Sequence, residues 1–182
     1  MIRTIPRALS PLVSLALLAA CGGGKAAVPA GPPPVSQKPS TKAETRTDPA
    51  LAACHASFKA GDKDPSADVD TMAKGCESAT KMTQLGATLT GEVTEGNTAT
   101  FPFPAAAGKC YRVYAVSLST MQDFDLAVVD SLGDLVASDS TDDVSPVLAE
   151  DGKFCFKAAD AATLRATAGT GAGKFAVEVW SD

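Results

Sequence analysis

The stretch CYRVYAVSLSTMQDFDLAVVDSLGDLVAS, Cys110–Ser138, decides how this chain folds. Its first part, Cys110–Ser117, alternates in a strand-like way. If Tyr111, Val113 and Ala115 point to one face, Cys110 points to the other. Two further apolar runs follow, Phe124–Val129 and Leu135–Ser138. Between them Asp130, Ser131, Gly133 and Asp134 supply turn chemistry, so the pair predicts a hairpin. The same texture extends in both directions. Ala87–Val93, Thr98–Phe103, Lys153–Lys157, Thr163–Thr167 and Lys174–Trp180 are short runs separated by Gly, Pro, Asp and Ser. Eight short strands at this spacing predict a mainly β fold, an antiparallel sandwich over residues 86–182. Pro102 and Pro104 lack N–H donors and put the second strand at an edge.

Upstream the periodicity changes. Asp48-Pro49 and Asp64-Pro65 are helix-start signals, an N-cap carboxylate followed by proline at the first helical position. Leu51, Cys54 and Phe58 follow the first at helical spacing, and Val69, Met72, Cys76 and Ala79 follow the second. Residues 48–85 therefore predict a short helical hairpin, with helices near 49–59 and 66–83. Residues 21–47 are rich in Gly, Pro, Ser, Thr and Lys and hold almost no large apolar side chain. They predict an extended, disordered tether.

Residues 1–20 carry Arg3 and Arg7 ahead of an apolar run from Ala8 to Leu18. That run is shorter than the roughly 20 residues a spanning helix needs, so it reads as a secretory signal peptide. Leu18-Ala19-Ala20-Cys21 resembles the lipobox of bacterial lipoproteins. The resemblance implies cleavage before Cys21 and acylation of Cys21. Gly22 in place of Asp implies the outer membrane. More than one acyl chain gives stable anchoring without a spanning helix. Loss of Arg3 and Arg7 leaves 14 basic against 21 acidic residues, a formal charge of −7.

The runs GKCYRVYAVS, DFDLAVVDSLGDLVASD, DGKFCFKA and GTGAGKFAVEVW resemble the bacterial pre-peptidase C-terminal domain over residues 87–182. The resemblance implies a jelly-roll-like β-sandwich in a secreted protein. It also implies an accessory role beside a protease, or binding of substrate or surface polymer. No peptidase precedes the domain here, and Cys110 and Cys155 are not a usual feature of that family.

Cys54, Cys76, Cys110 and Cys155 form an even set in a chain read as exported, which predicts disulfides. Four cysteines allow three connectivities. Cys54–Cys76 would join the two helices. Parity favours Cys110–Cys155, because Phe154 and Phe156 facing inward leave Cys155 on the same outer face as Cys110.

The net charge of −5 excludes a phosphate-binding surface and hence nucleic acid as a partner. No Gly-x-Ser-x-Gly, His-Glu-x-x-His or phosphate-loop motif is present. His55, the one histidine, reads as a surface helix residue. No catalytic residue is expected. From Val113 to Gly152 there is no Lys or Arg, and the span holds Asp123, Asp125, Asp130, Asp134, Asp139, Asp142, Asp143, Glu150 and Asp151. Such density fits solvated turns. It also makes Asp123, Asp125, Asp139, Asp142 and Asp143 candidate ligands for calcium, the one cofactor considered. Trp180, Tyr111 and Tyr114 are the aromatics best suited to sugar stacking. The expectation is a non-enzymatic, lipid-anchored envelope protein that meets a protein or surface polymer. The alternative is a calcium-stabilised module for carbohydrate or matrix.

Overall fold

The computed structural model describes residues 38–139 and 141–182. The expected signal peptide, Cys21 and the expected tether up to residue 37 lie outside the described residues. The elements are β1 (Ala43–Thr47), α1 (Pro49–Ala52), α2 (Pro65–Thr80), β2 (Thr83–Gln84), β3 (Leu89–Thr94), β4 (Thr98–Ala105), β5 (Cys110–Ser117), β6 (Met121–Val129), β7 (Leu135–Ser138), β8 (Val147–Leu148), β9 (Gly152–Phe156) and β10 (Asp160–Ser181). The sheet is antiparallel and its main path runs β1-β9-β5-β10-β6-β7.

One strand organises the molecule. β10 is 22 residues long and belongs to both layers of the sandwich. Its C-terminal part pairs with β5, from Ser181 opposite Tyr111 to Phe175 opposite Ser117. Its N-terminal part pairs with β6, from Gly171 opposite Met121 to Thr163 opposite Val129. On its other side β3 and β4 do the same. β10 thus bends between two successive strand pairs, β3 with β4 on one side and β5 with β6 on the other, and its two halves lie in the two layers. The bend falls where β10 shifts register between Ala168 and Gly171. Gly171 has φ +88°, and a Cβ there would lie 2.4 Å from the Thr120 carbonyl oxygen, so only glycine fits. The bend also swaps parity. Leu164, Ala166 and Ala168 face the core on one side of it, and Phe175, Val177 and Val179 on the other.

The core between the halves is aromatic at one end. Phe103 of β4 meets Tyr111 of β5 and Phe154 and Phe156 of β9 at centroid separations of 5.0, 5.7 and 6.0 Å. The buried Tyr111 hydroxyl donates to the Pro104 carbonyl at 2.7 Å and accepts from the Ala106 N–H. The opposite face of β5 and β10 carries a second cluster, Tyr114, Val116, Ala176 and Trp180, covered by Val69, Met72, Ala73 and Cys76 of α2.

Both disulfides form, Cys54–Cys76 and Cys110–Cys155. Cys110 and Cys155 are direct cross-strand partners on β5 and β9, on the face away from the main core, as parity predicted. That outer face is not solvent, because the α2 layer covers it and both cysteines are buried. The β6–β7 hairpin is present, and β4 pairs with β10 alone. Pro102 and Pro104 are exposed on that outermost strand, where missing N–H donors blunt a free edge.

Four expectations are corrected. First, Thr163–Thr167 and Lys174–Trp180 are not separate strands. The glycines between them bend one strand instead of ending it. Second, the first helix stops at Ala52, and residues to Phe58 are turns held by single hydrogen bonds such as Phe58 N–H to the His55 carbonyl at 2.9 Å. The hairpin is therefore one full helix and one helical turn. Third, the tether does not run to residue 47. Ala43–Thr47 pairs with all five residues of β9. Just before it Pro39 bridges Leu135 of β7. Residues 38–47 thus form a strap that joins β7 of one half to β9 of the other. Lys38 donates to Asp134 at 2.7 Å, the Ser40 hydroxyl to Asp130 at 2.7 Å, and Lys42 to Asp160 at 2.9 Å. Fourth, His55 is neither helical nor a surface residue, as its contacts below make clear.

Candidate functional site

The strongest concentration of chemistry lies where the turns after α1, the loop between β7 and β8, the β8–β9 turn and the end of the strap converge. Arg112 supports the α1 segment and the β8–β9 turn. It sits in the middle of β5 on the outer face, fully buried. Its guanidinium donates to the Leu51 carbonyl at 3.0 Å and to the Glu150 carbonyl at 3.3 Å, and stacks over Tyr114 at 5.2 Å. Burial disfavours its charge and pulls its pKa below the usual arginine range, and the neighbouring Tyr114, Glu150 and Asp48 counter that pull. One buried cation therefore ties two loops to the sheet through backbone oxygens.

Arg112 also orients His55. Nη2 lies 3.4 Å from His55 Nδ1, and His55 Nε2 lies 3.5 Å from Glu150 Oε1. A guanidinium N–H can only donate, so Nδ1 presents its lone pair to it. In a neutral ring that arrangement directs an Nε2–H at Glu150. In that tautomer His55 offers no free basic nitrogen to the space in front of it.

In front of His55 is a cavity of about 210 Å³. Phe58, Met72 and Val147 give it apolar wall, and Asp139, Thr141, Asp143, Ser145 and Glu150 give it oxygen. A second cavity of about 210 Å³ lies on the strap side and shares Asp139, Val147 and Glu150 as a common wall, with Thr45, Thr47 and Asp151 beyond. Among the described residues no Lys or Arg lines either space. Local turns hold the carboxylates. Asp139 accepts from the Thr141 N–H and hydroxyl at 3.3 and 3.0 Å, and Asp143 accepts from the Ser145 N–H at 2.8 Å. Ala149 adopts φ +58° between β8 and Glu150. Its carbonyl receives the Gly152 N–H at 2.8 Å.

The five candidate calcium ligands are divided. Asp139 and Asp143 line the His55 cavity. Asp123 and Asp125 stand on β6 and face Asp142. Burial, then the charges of Asp123 and Asp142, push the Asp125 carboxyl above its ordinary range. Asp123 Oδ1 is buried and has no hydrogen-bond partner. Among the described residues the one set of three metal-type ligands within 4.8 Å of one another is Cys54, His55 and Cys76, and its two sulfurs are bonded to each other. Asp130, Asp134 and Asp160 hold the strap and the adjoining turn.

The aromatics proposed for sugar stacking are all buried: Tyr111, Tyr114 and Trp180. Trp180 Nε1 donates instead to the buried Glu178 at 2.9 Å. Sequence reasoning missed Arg112, although a lone arginine inside CYRVYAVS was a visible signal. It also missed Phe58 and Met72 as cavity walls, because helical spacing assigned them only to packing.

No protein-family model and no curated protein matches the chain. Among solved structures, the pre-peptidase C-terminal domain of a Bacillus anthracis collagenase aligns with TM-score 0.38 and 16% identity, covering 52% of this chain and 89% of that one. Aeromonas hydrophila PliG, a periplasmic inhibitor of g-type lysozyme, aligns with TM-score 0.39 and 16% identity, covering 53% of this chain and 85% of that one.

Proposed function

We propose that this chain is a lipid-anchored, non-enzymatic interaction protein of the bacterial envelope, displayed at the outer membrane through acylated Cys21. The observation that carries the reading is the cysteine count. Cys54, Cys76, Cys110 and Cys155 are consumed in two bridges, which leaves Cys21 as the remaining one of five. Two buried or half-buried bridges suit an oxidising compartment outside the cytoplasm, and an unpaired cysteine directly after an apolar leader suits acylation. Among the described residues no helix is long and apolar enough to cross a membrane, so in this reading the acyl chains provide the attachment. The partner is another envelope protein or a surface polymer.

The test is metabolic labelling with a palmitate analogue in a host that exports the full chain. Label on the wild type, lost in Cys21→Ser, supports the anchor. An unlabelled wild type, released with soluble periplasmic proteins, refutes it.

A second reading, a calcium-stabilised module for surface polymer or carbohydrate, draws on Asp123, whose buried Oδ1 has no partner beside the crowded Asp125. Thermal unfolding in millimolar calcium and in EDTA decides it. A shift of several degrees that Asp123→Asn removes supports the reading, and superimposable curves end it.

A further inference from the structure

We infer that β1 is a self-association edge: two copies of this chain pair antiparallel through β1, centred on Thr45, and join their sheets into one. β1 is the outermost strand of its layer and pairs with β9. Its main-chain groups alternate in direction. The Lys157 N–H bonds the Lys42 carbonyl at 2.8 Å, and the Asp48 N–H bonds the Asp151 carbonyl at 2.7 Å. Between those two positions the alternation of an antiparallel ladder turns the main chain of Glu44 and Arg46 toward β9, and that of Ala43, Thr45 and Thr47 away from it. Among the described residues no strand receives the N–H and C=O groups that point off this edge. Glu44 to Thr47 are exposed along it.

Open edges invite pairing, and folded proteins usually blunt them. The outermost strand of the other layer is blunted, because β4 carries Pro102 and Pro104. β1, AETRT, has no proline, no glycine and no bulge. Charge is the remaining guard, and its order turns it into an attraction. Lys42, Glu44, Arg46 and Asp48 fall on one face of the strand and alternate in sign. Turned about Thr45, each meets its opposite: Glu44 lies across from Arg46 of the second copy, and Lys42 across from Asp48. Lys42 and Asp48 are engaged within their own chain, by Asp160 and by the Ala50 N–H. Glu44 and Arg46 form an ion pair with each other at 2.7 Å, with 42% and 57% of their side chains exposed. Such a pair contributes little in solvent, so exchanging it for two pairs across the junction costs little. In this register the outward groups of Ala43 meet those of Thr47, and those of Thr45 meet their own copies. Glu44 and Arg46 then occupy the closer, non-hydrogen-bonded positions, where opposite side chains interact most strongly. Centring the pair on Glu44 or on Arg46 would set that residue against its own copy, so the charges also specify the register. Main-chain bonds supply the affinity, as in other strand additions, and the side chains select the partner.

The test uses the full chain, exported and purified in mild detergent, with mass followed by sedimentation over a range of concentration. Wild type passes from monomer to dimer as concentration rises. Glu44→Arg leaves only positive charge at the two central positions and Arg46→Glu only negative charge, so each variant alone dimerises at least tenfold more weakly. An equimolar mixture of the two restores dimers, because opposite charges face each other again. Glu44→Arg with Arg46→Glu in one chain restores them as well, because every central sign is reversed together. Thr45→Pro removes an N–H that points away from β9, so the ladder with β9 stays and the dimer is lost. Equal melting temperatures at a concentration where every variant is monomeric certify the fold. Co-residence in one micelle is blind to the order of the charges, so it cannot produce this pattern of loss and rescue. A wild type that stays monomeric, a dimer that both single reversals leave intact, or a mixture that recovers nothing overturns the inference. So does a monomeric wild type that takes a strand of another protein on this edge, since the occupant is then not a second copy.

Discussion

Asp160→Asn isolates the strap. Asp160 is nearly buried at the first residue of β10, with 7% of its side chain exposed. Its carboxylate accepts from the Ser131 N–H at 2.8 Å, the Ser131 hydroxyl at 2.7 Å and Lys42 Nζ at 2.9 Å. Burial opposes its charge, but those donors outweigh burial and bring its pKa from 3.8 to about 2. At about 1.4 kcal/mol per pKa unit the difference corresponds to at most about 2.4 kcal/mol. Solvent around Lys42 screens part of that, so a working figure is about 1–2 kcal/mol. The folded-state pKa is lowered, so the contribution is complete above the unfolded value. It drains away as pH falls through about 4 toward 2. Urea unfolding of wild type and Asp160→Asn at several pH values measures it. At pH 7 the variant's midpoint falls by about 0.5–1 M for a typical urea slope. Near pH 2 the two midpoints approach each other. A gap that is constant with pH would mean that the loss comes from packing and not from the ionised latch. No gap at pH 7 would mean that the latch contributes nothing.

Asp125→Asn has the opposite sign. Asp125 is held above its ordinary range, so its charge destabilises the fold once pH rises past that value. Without added divalent cation the variant is as stable as wild type or more so at pH 7, with no gain at pH 3, and a large loss at pH 7 in EDTA contradicts this. Gly171→Ala places a Cβ at φ +88° against the Thr120 carbonyl and lowers stability by about 2 kcal/mol or more, read by urea titration. An unchanged midpoint means that the bend relaxes freely. Arg112→Lys keeps the charge but not the fork that reaches Leu51 and Glu150 together. It loses about 2 kcal/mol and speeds amide exchange in residues 51–58 and 147–151, and exchange confined to α2 would contradict the pinning role. A chain that starts at residue 48 lacks β1 and exposes the edge of β9. It melts lower than one that starts at residue 38, or self-associates through that edge, and identical melting and monomeric behaviour refute the strap's role.

Much of the β architecture was legible because alternation is a strong signal. Tyr111, Val113 and Ala115 against Cys110 indicated a face, and Phe154 and Phe156 against Cys155 indicated the matching one, so parity favoured the bridge, while its burial under α2 was not legible. The hairpin Asp130–Asp134 announced itself through turn residues. The continuity of β10 was hidden because Gly169, Gly171 and Gly173 are also what a loop looks like, and only pairing with β3 and β6 distinguishes a bent strand from two. The strap was hidden for a different reason. Ala43 is its one buried strand residue. Backbone pairing and ions hold the rest, and composition does not record those. The acidic cavities beside His55 were half visible, as a span free of Lys and Arg. Their apolar walls come from Phe58 and Met72, about 80 residues upstream, and their support comes from a buried arginine whose partners are carbonyl oxygens.

The strap is also a mechanical element. A pull arriving from residues ahead of Lys38 enters the domain at one point and is shared in series. It meets Lys38 on Asp134 and Ser40 on Asp130 first, then Lys42 on Asp160, and last the five-residue ladder with β9. The first contacts anchor to the β6–β7 turn and the last to the opposite half of the sandwich. Tension therefore spreads across both layers before it can reach the loops around His55. The exposed Lys38 pair is the weakest of these links, because solvent screens it most.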